Sequence, residues 1–106
     1  MATRKPLLDE ANDSYNSNNY RDAARNFVLL IGTQPAYKEN PVVHLNCGHC
    51  FFELKEWKEA IKYLEKASTI FADSGDEHAD KTQQSYFLLG MSQFELRKYE
   101  AAKKSF

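Results

Sequence analysis

Residues 45–60 of this 106-residue chain recur, 42 positions on, as residues 87–102, and no other feature restricts the fold as much. Gly48 falls over Gly90, Phe52 over Phe94, and Glu53-Leu54-Lys55 over Glu95-Leu96-Arg97. Trp57 then falls over Tyr99, and Ala60 over Ala102. A fainter copy lies 37 positions earlier, with Ala11, Tyr15, Tyr20, Ala23 and Phe27 over Gly48, Phe52, Trp57, Ala60 and Leu64. Three related units, near residues 4–37, 41–74 and 76–106, therefore fill the chain as one domain. A chain built this way buries its apolar faces between neighbouring units rather than around one centre.

Each unit reads as a pair of helices. Trp57, Ala60, Ile61, Leu64, Ala67, Ile70 and Phe71 keep the spacing of one helical face, while Lys58, Glu59, Lys62, Glu65 and Lys66 hold the other. Asn40-Pro41 sets a capping side chain before a proline at the first helical position. Asn19 caps a helix that opens at Tyr20, and Ser74-Gly75-Asp76-Glu77 has the form of a capping box. No sustained period-two run and no Asn-Gly or Asp-Gly hairpin signal occurs. The expected fold class is all-α, with helices near 5–16, 20–32, 41–54, 56–72, 76–96 and 98–106.

A small residue on the first helix, then an aromatic-x-x-Ala step opening the second, with a large apolar residue four positions later, resembles the tetratricopeptide repeat. The matching residues are Ala11 with Tyr20, Ala23 and Phe27; Gly48 with Trp57, Ala60, Leu64 and Ala67; and Gly90 with Tyr99, Ala102 and Phe106. Gly or Ala lets two helices approach closely, and the aromatic fills the space beside the turn. The steps of 37 and 42 residues match the longer variants of that family, and Ser74-Gly75 stands where a unit-ending proline is usual. The resemblance implies an α-solenoid of three helix-turn-helix repeats in a right-handed superhelix, the last one incomplete. It also implies a non-catalytic module of adaptor, scaffold or co-chaperone type that binds a segment of a partner protein in its concave groove.

Placed in register, the first helices line that groove with Asn12 and Tyr15, then Asn46, His49, Phe52 and Glu53, then Gln84, Phe87, Met91 and Glu95. Leu8, Asn16, Val42, Leu45, Leu88 and Phe94 share the same side. Amide side chains there suit a peptide backbone, and aromatics and Met suit its side chains. The aromatics Tyr15, Phe52, Phe87 and Phe94 serve equally well as packing between units. Chaperone-binding members of the family grip a C-terminal carboxylate with two asparagines and three basic residues. Asn12 and Asn46 match the former, but the basic positions fall on Leu8, Gln84 and Leu88, which cannot hold a carboxylate.

Cys47-Gly48-His49-Cys50 invites a redox reading, since C-x-x-C lowers a thiol pKa at a helix N-terminus. Here the motif lies about two turns into a helix begun at Pro41, and its repeat partners are Leu89 and Ser92. Packed cysteines are the expectation, with a thiol oxidoreductase as the minor alternative. His44, Cys47 and Cys50 sweep around the helix instead of converging on a metal. No phosphate-binding, dinucleotide, zinc-protease or hydrolase signature occurs, so no cofactor, no metal and no enzyme activity are expected.

Composition closes further classes. Fourteen basic and fifteen acidic residues give a net charge of −1, evenly spread, which excludes a nucleic-acid footprint. The longest apolar run, Phe27 to Ile31, is far too short for membrane insertion, and the N-terminal residues lack a signal-peptide core. A cytoplasmic protein is expected, with a protein or peptide as its partner. Tyr99, Ala102 and Phe106 form an apolar stripe on the last helix, through which the chain could form a homo-oligomer.

Overall fold

The computed structural model describes residues 5–104, the side chain of Asp76 excepted. They form five helices: α1 (Leu7–Asn16), α2 (Tyr20–Thr33), α3 (Pro41–Glu53), α4 (Trp57–Asp73) and α5 (Ala79–Lys104). Short 3-10 turns, Pro35–Tyr37 and Gly75–His78, link α2 to α3 and α4 to α5. No strand occurs among the described residues. Each helix packs on the next in chain order, and α3 also touches α5.

The helix starts follow the caps. Asn40 Oδ1 accepts from the backbone N–H groups of Val42 at 3.0 Å and Val43 at 3.1 Å, which opens α3. Asn19 Oδ1 accepts from Asp22 N–H at 3.4 Å and opens α2. Between α1 and α2, and again between α3 and α4, the chain reverses through one residue in the left-handed region. These residues are Asn18 and Lys55, both at φ 62°. They occupy the same place in their units, two positions before the aromatic that begins the second helix.

Two expectations are corrected. Ser74 caps no helix start: its hydroxyl donates to the Ile70 carbonyl at 3.1 Å, and Gly75 at φ 73° ends α4 instead. The helices expected at 76–96 and 98–106 are one continuous helix, α5, which runs straight through Arg97 to Lys104. Arg97 is the repeat partner of Lys55, so the turn made twice earlier is not made a third time. Phe106, the end of the expected apolar stripe, lies outside the described residues.

The core is a row of layers. Ala11, Ala23, Ala24, Phe27 and Leu30 pack with Val43, Cys47 and Cys50, joining the α1–α2 pair to α3. Leu45, Ala60, Leu64, Ala67, Phe71 and Leu88 form the next layer, joining α3 to α4 and α4 to α5. Phe51 rests on both. At Gly48 a side chain would have no room, because a Cβ there would stand 2.6 Å from Leu64 Cγ. That glycine sets how closely α3 and α4 approach.

Candidate functional site

The first helices of the units, α1, α3 and α5, share one side of the stack, and their side chains meet there. Tyr15 on α1 reaches His49 on α3, its hydroxyl hydrogen-bonded with Nδ1 at 2.6 Å and the ring centroids 5.5 Å apart. His49 Nε2 then lies 3.3 Å from Glu53 Oε1, one turn along α3. The Tyr15 hydroxyl is pushed up to about 12, first by burial and then by the charges of Cys50, Tyr20 and Glu53. It therefore stays protonated near neutral pH. Tyr20, which opens α2, closes over the imidazole with centroids 5.8 Å apart.

Farther along the same side, Phe52, Glu53, Lys55 and Trp57 face Met91 and Glu95 of α5 across an open cleft. Phe52 and Trp57 meet edge to face at 5.5 Å, which holds the indole beside the α3–α4 turn. Lys55 reaches the cleft because its left-handed backbone turns the chain there. Glu95 has Lys98 at 3.9 Å on its own helix.

Of the residues singled out in the sequence, Tyr15, His49 and Glu53 are thus joined in one hydrogen-bonded chain. Phe52, Glu53, Met91 and Glu95 share one cleft. Asn12 and Asn46 are half-buried on α1 and α3, and their amides have no hydrogen-bonding partner among the described residues. Gln84 is exposed on α5. Phe87 does not join the cleft: it lies on the outer side of α5, 65% exposed, with Phe94 and Gly90 along the same stripe. Lys55, Trp57 and Tyr20 were not singled out for this surface. The signal for them was the turn itself, since the residues flanking a tight helical reversal stand at the edge of the first-helix side.

The CGHC motif is packed away. Both thiols are free and fully buried in the first core layer. Burial raises the pKa of each, that of Cys50 to about 12, so neither forms the thiolate that redox exchange needs. Among the described residues, no three His, Cys, Asp or Glu side chains are grouped to hold a metal ion. No helix there is long and apolar enough to cross a membrane.

A family model described as tetratricopeptide repeat matches residues 41–106, the stretch that contains α3, α4 and α5. No curated protein and no solved structure matches the chain.

Proposed function

The chain belongs to the tetratricopeptide repeat family, a family of protein-interaction modules, and from that membership we propose that it is a non-catalytic adaptor, scaffold or co-chaperone module. It takes an extended segment of a partner protein along the side formed by α1, α3 and α5. The observation that carries this reading is the continuity of that side. The Tyr15–His49–Glu53 chain and the Phe52–Trp57–Met91 cleft share Glu53, and Asn12 and Asn46, whose amides have no hydrogen-bonding partner among the described residues, belong to the same helices α1 and α3. The amides suit the backbone of an extended segment, and the cleft suits an apolar side chain of it. Near-neutral net charge supports a protein partner over a nucleic acid, and a cytoplasmic setting accords with two buried, reduced cysteines.

The test is affinity capture with the immobilised chain and with its Asn46→Ala/Phe52→Ala variant, each checked for native helicity by circular dichroism. The proposal expects the variant to lose the wild-type partners. Retention of the same partners at the same yield by a folded variant would place binding elsewhere.

A further inference from the structure

Gly32, near the C-terminal end of α2, serves neither of the purposes that glycine serves at Gly48 and Gly75. Gly48 leaves room for Leu64, and Gly75 turns the chain at φ 73°. A Cβ on Gly32 would meet nothing within 4 Å, and its backbone is ordinary helix, where glycine is weaker than alanine. The open space beside it is a hollow of about 430 Å³ between α2 and α4. Val28 and Ile31 of α2 and Tyr63 of α4 give it an apolar wall, and Lys38, Lys62 and Lys66 stand round it. Glu39, also in the lining, is paired with Lys66 at 2.6 Å. Lys62 lies over the Tyr63 ring at 5.3 Å, and neither it nor Lys38 has a carboxylate within 4 Å among the described residues. His44 of α3 completes the lining and is only 5% exposed. Its Nε2 donates to the Lys38 carbonyl at 2.8 Å, which fixes the Lys38 backbone at the rim, and its buried Nδ1 has no partner among the described residues.

The hollow matches a small-molecule site in its size, its place between helices, its apolar wall and the few polar groups set round it. Two ammonium groups without a carboxylate call for an anion, and the wall calls for an apolar body attached to it. With Lys66 already paired to Glu39, the charge that remains suits a single carboxylate rather than a polyphosphate. We propose that the hollow between α2 and α4 binds a small apolar carboxylate, of the aryl- or alkyl-carboxylic acid class. Its carboxylate is held between Lys38 and Lys62, and its body lies on Val28, Ile31 and the Tyr63 ring, along the lysine stems. Gly32 leaves that body its room. The hollow shares no lining residue with the cleft of Phe52 and Met91, so this site stands apart from the groove proposed for a partner segment.

Backbone chemical-shift titration of the 106-residue chain tests this, with octanoate and phenylacetate as probes and octanamide and phenylacetamide as their uncharged counterparts. The proposal expects saturable shifts gathered at Ile31, Gly32, Lys38, His44 and Lys62 with at least one of the acids, and none with the amides. Lys38→Gln/Lys62→Gln is expected to weaken binding about tenfold. Gly32→Leu, which fills the hollow and favours the helix, is expected to abolish binding with helicity intact. Asn46→Ala/Phe52→Ala is expected to bind the acid as wild type does, which separates this site from the groove. No saturable shift with either acid, shifts gathered elsewhere, equal binding of the amides, or undiminished binding in either hollow variant would overturn the proposal. Occupation of the hollow by the blocked dipeptide acetyl-Leu-Glu-amide when neither free acid binds would overturn it too, and would assign the site to an acidic segment of a partner protein.

Discussion

Replacing Gly48 with Ala sets a methyl group 2.6 Å from Leu64 Cγ and 3.3 Å from the Leu64 backbone nitrogen. Leu64 is fully buried and cannot yield cheaply, so overpacking of about 1–3 kcal/mol exceeds the helix-propensity gain of about 1 kcal/mol. At Gly90 only the propensity gain remains, because nothing stands within 4 Å. In dilute protein, urea unfolding is expected to show Gly48→Ala less stable than wild type and Gly90→Ala more stable, by about 0.5–1 kcal/mol. Equal effects at the two sites would mean that the packing of α4 on α3 does not depend on this approach. Titration gives a second prediction at this scale. Burial lowers the pKa of His44, whose Nε2 donates to the Lys38 carbonyl at 2.8 Å while its buried Nδ1 has no partner among the described residues. The unfolded chain binds this proton first, so stability falls as pH drops below about 6.5. Burial raises both thiols, so the unfolded chain releases those protons first and stability also falls above about pH 9. Denaturation midpoints across pH should trace a dome, and His44→Phe should flatten its acid shoulder below about pH 6.5.

At the scale of the element, the reversals decide the architecture. Lys55 holds φ 62°, a conformation that costs a residue with a Cβ about 1–2 kcal/mol and glycine almost nothing. Lys55→Gly is therefore expected to stabilise the chain by about 0.5–1 kcal/mol, and Asn40→Ala to destabilise it by about 1 kcal/mol through loss of two capping bonds. Thermal melts of the two variants should move in opposite directions. The same reversal explains where sequence reasoning went astray. The five helices and their caps at Asn19 and Asn40 were legible, because periodicity and capping are local. The break expected before Lys98 was not, because Glu-Leu-Arg-Lys-Tyr-Glu-Ala-Ala is itself a strong helix former. A left-handed turn at Arg97 is repaid only when a following helix packs on α5, and α5 instead continues to Lys104. Ser74 misled for a related reason: a serine before a glycine serves the end of one helix as readily as the start of another.

Taken whole, the molecule is an elongated stack, 58 × 35 × 22 Å, with a radius of gyration of 14.9 Å. A compact domain of this length would have about 13 Å. Such a stack is held by contacts between neighbours, so its protection is uneven. Amide exchange in dilute protein should be slowest in α3 and α4, which are covered on both sides. It should be fastest in α5 beyond Arg97, where every described residue is exposed. The candidate surface was legible as a register of first-helix positions, which is why Tyr15, His49 and Glu53 fall into one bonded chain. Phe87 was not legible in the same way, because whether an aromatic faces the groove or the second helix depends on about 40° around α5 relative to Met91. The central claim concerns that surface, and backbone chemical-shift mapping of the chain with a partner segment recovered by affinity capture tests it most directly. Perturbations gathered at Asn12, Tyr15, Asn46, His49, Glu53 and Met91 are the predicted result; perturbations gathered on the exposed side of α2 and α4 would contradict it.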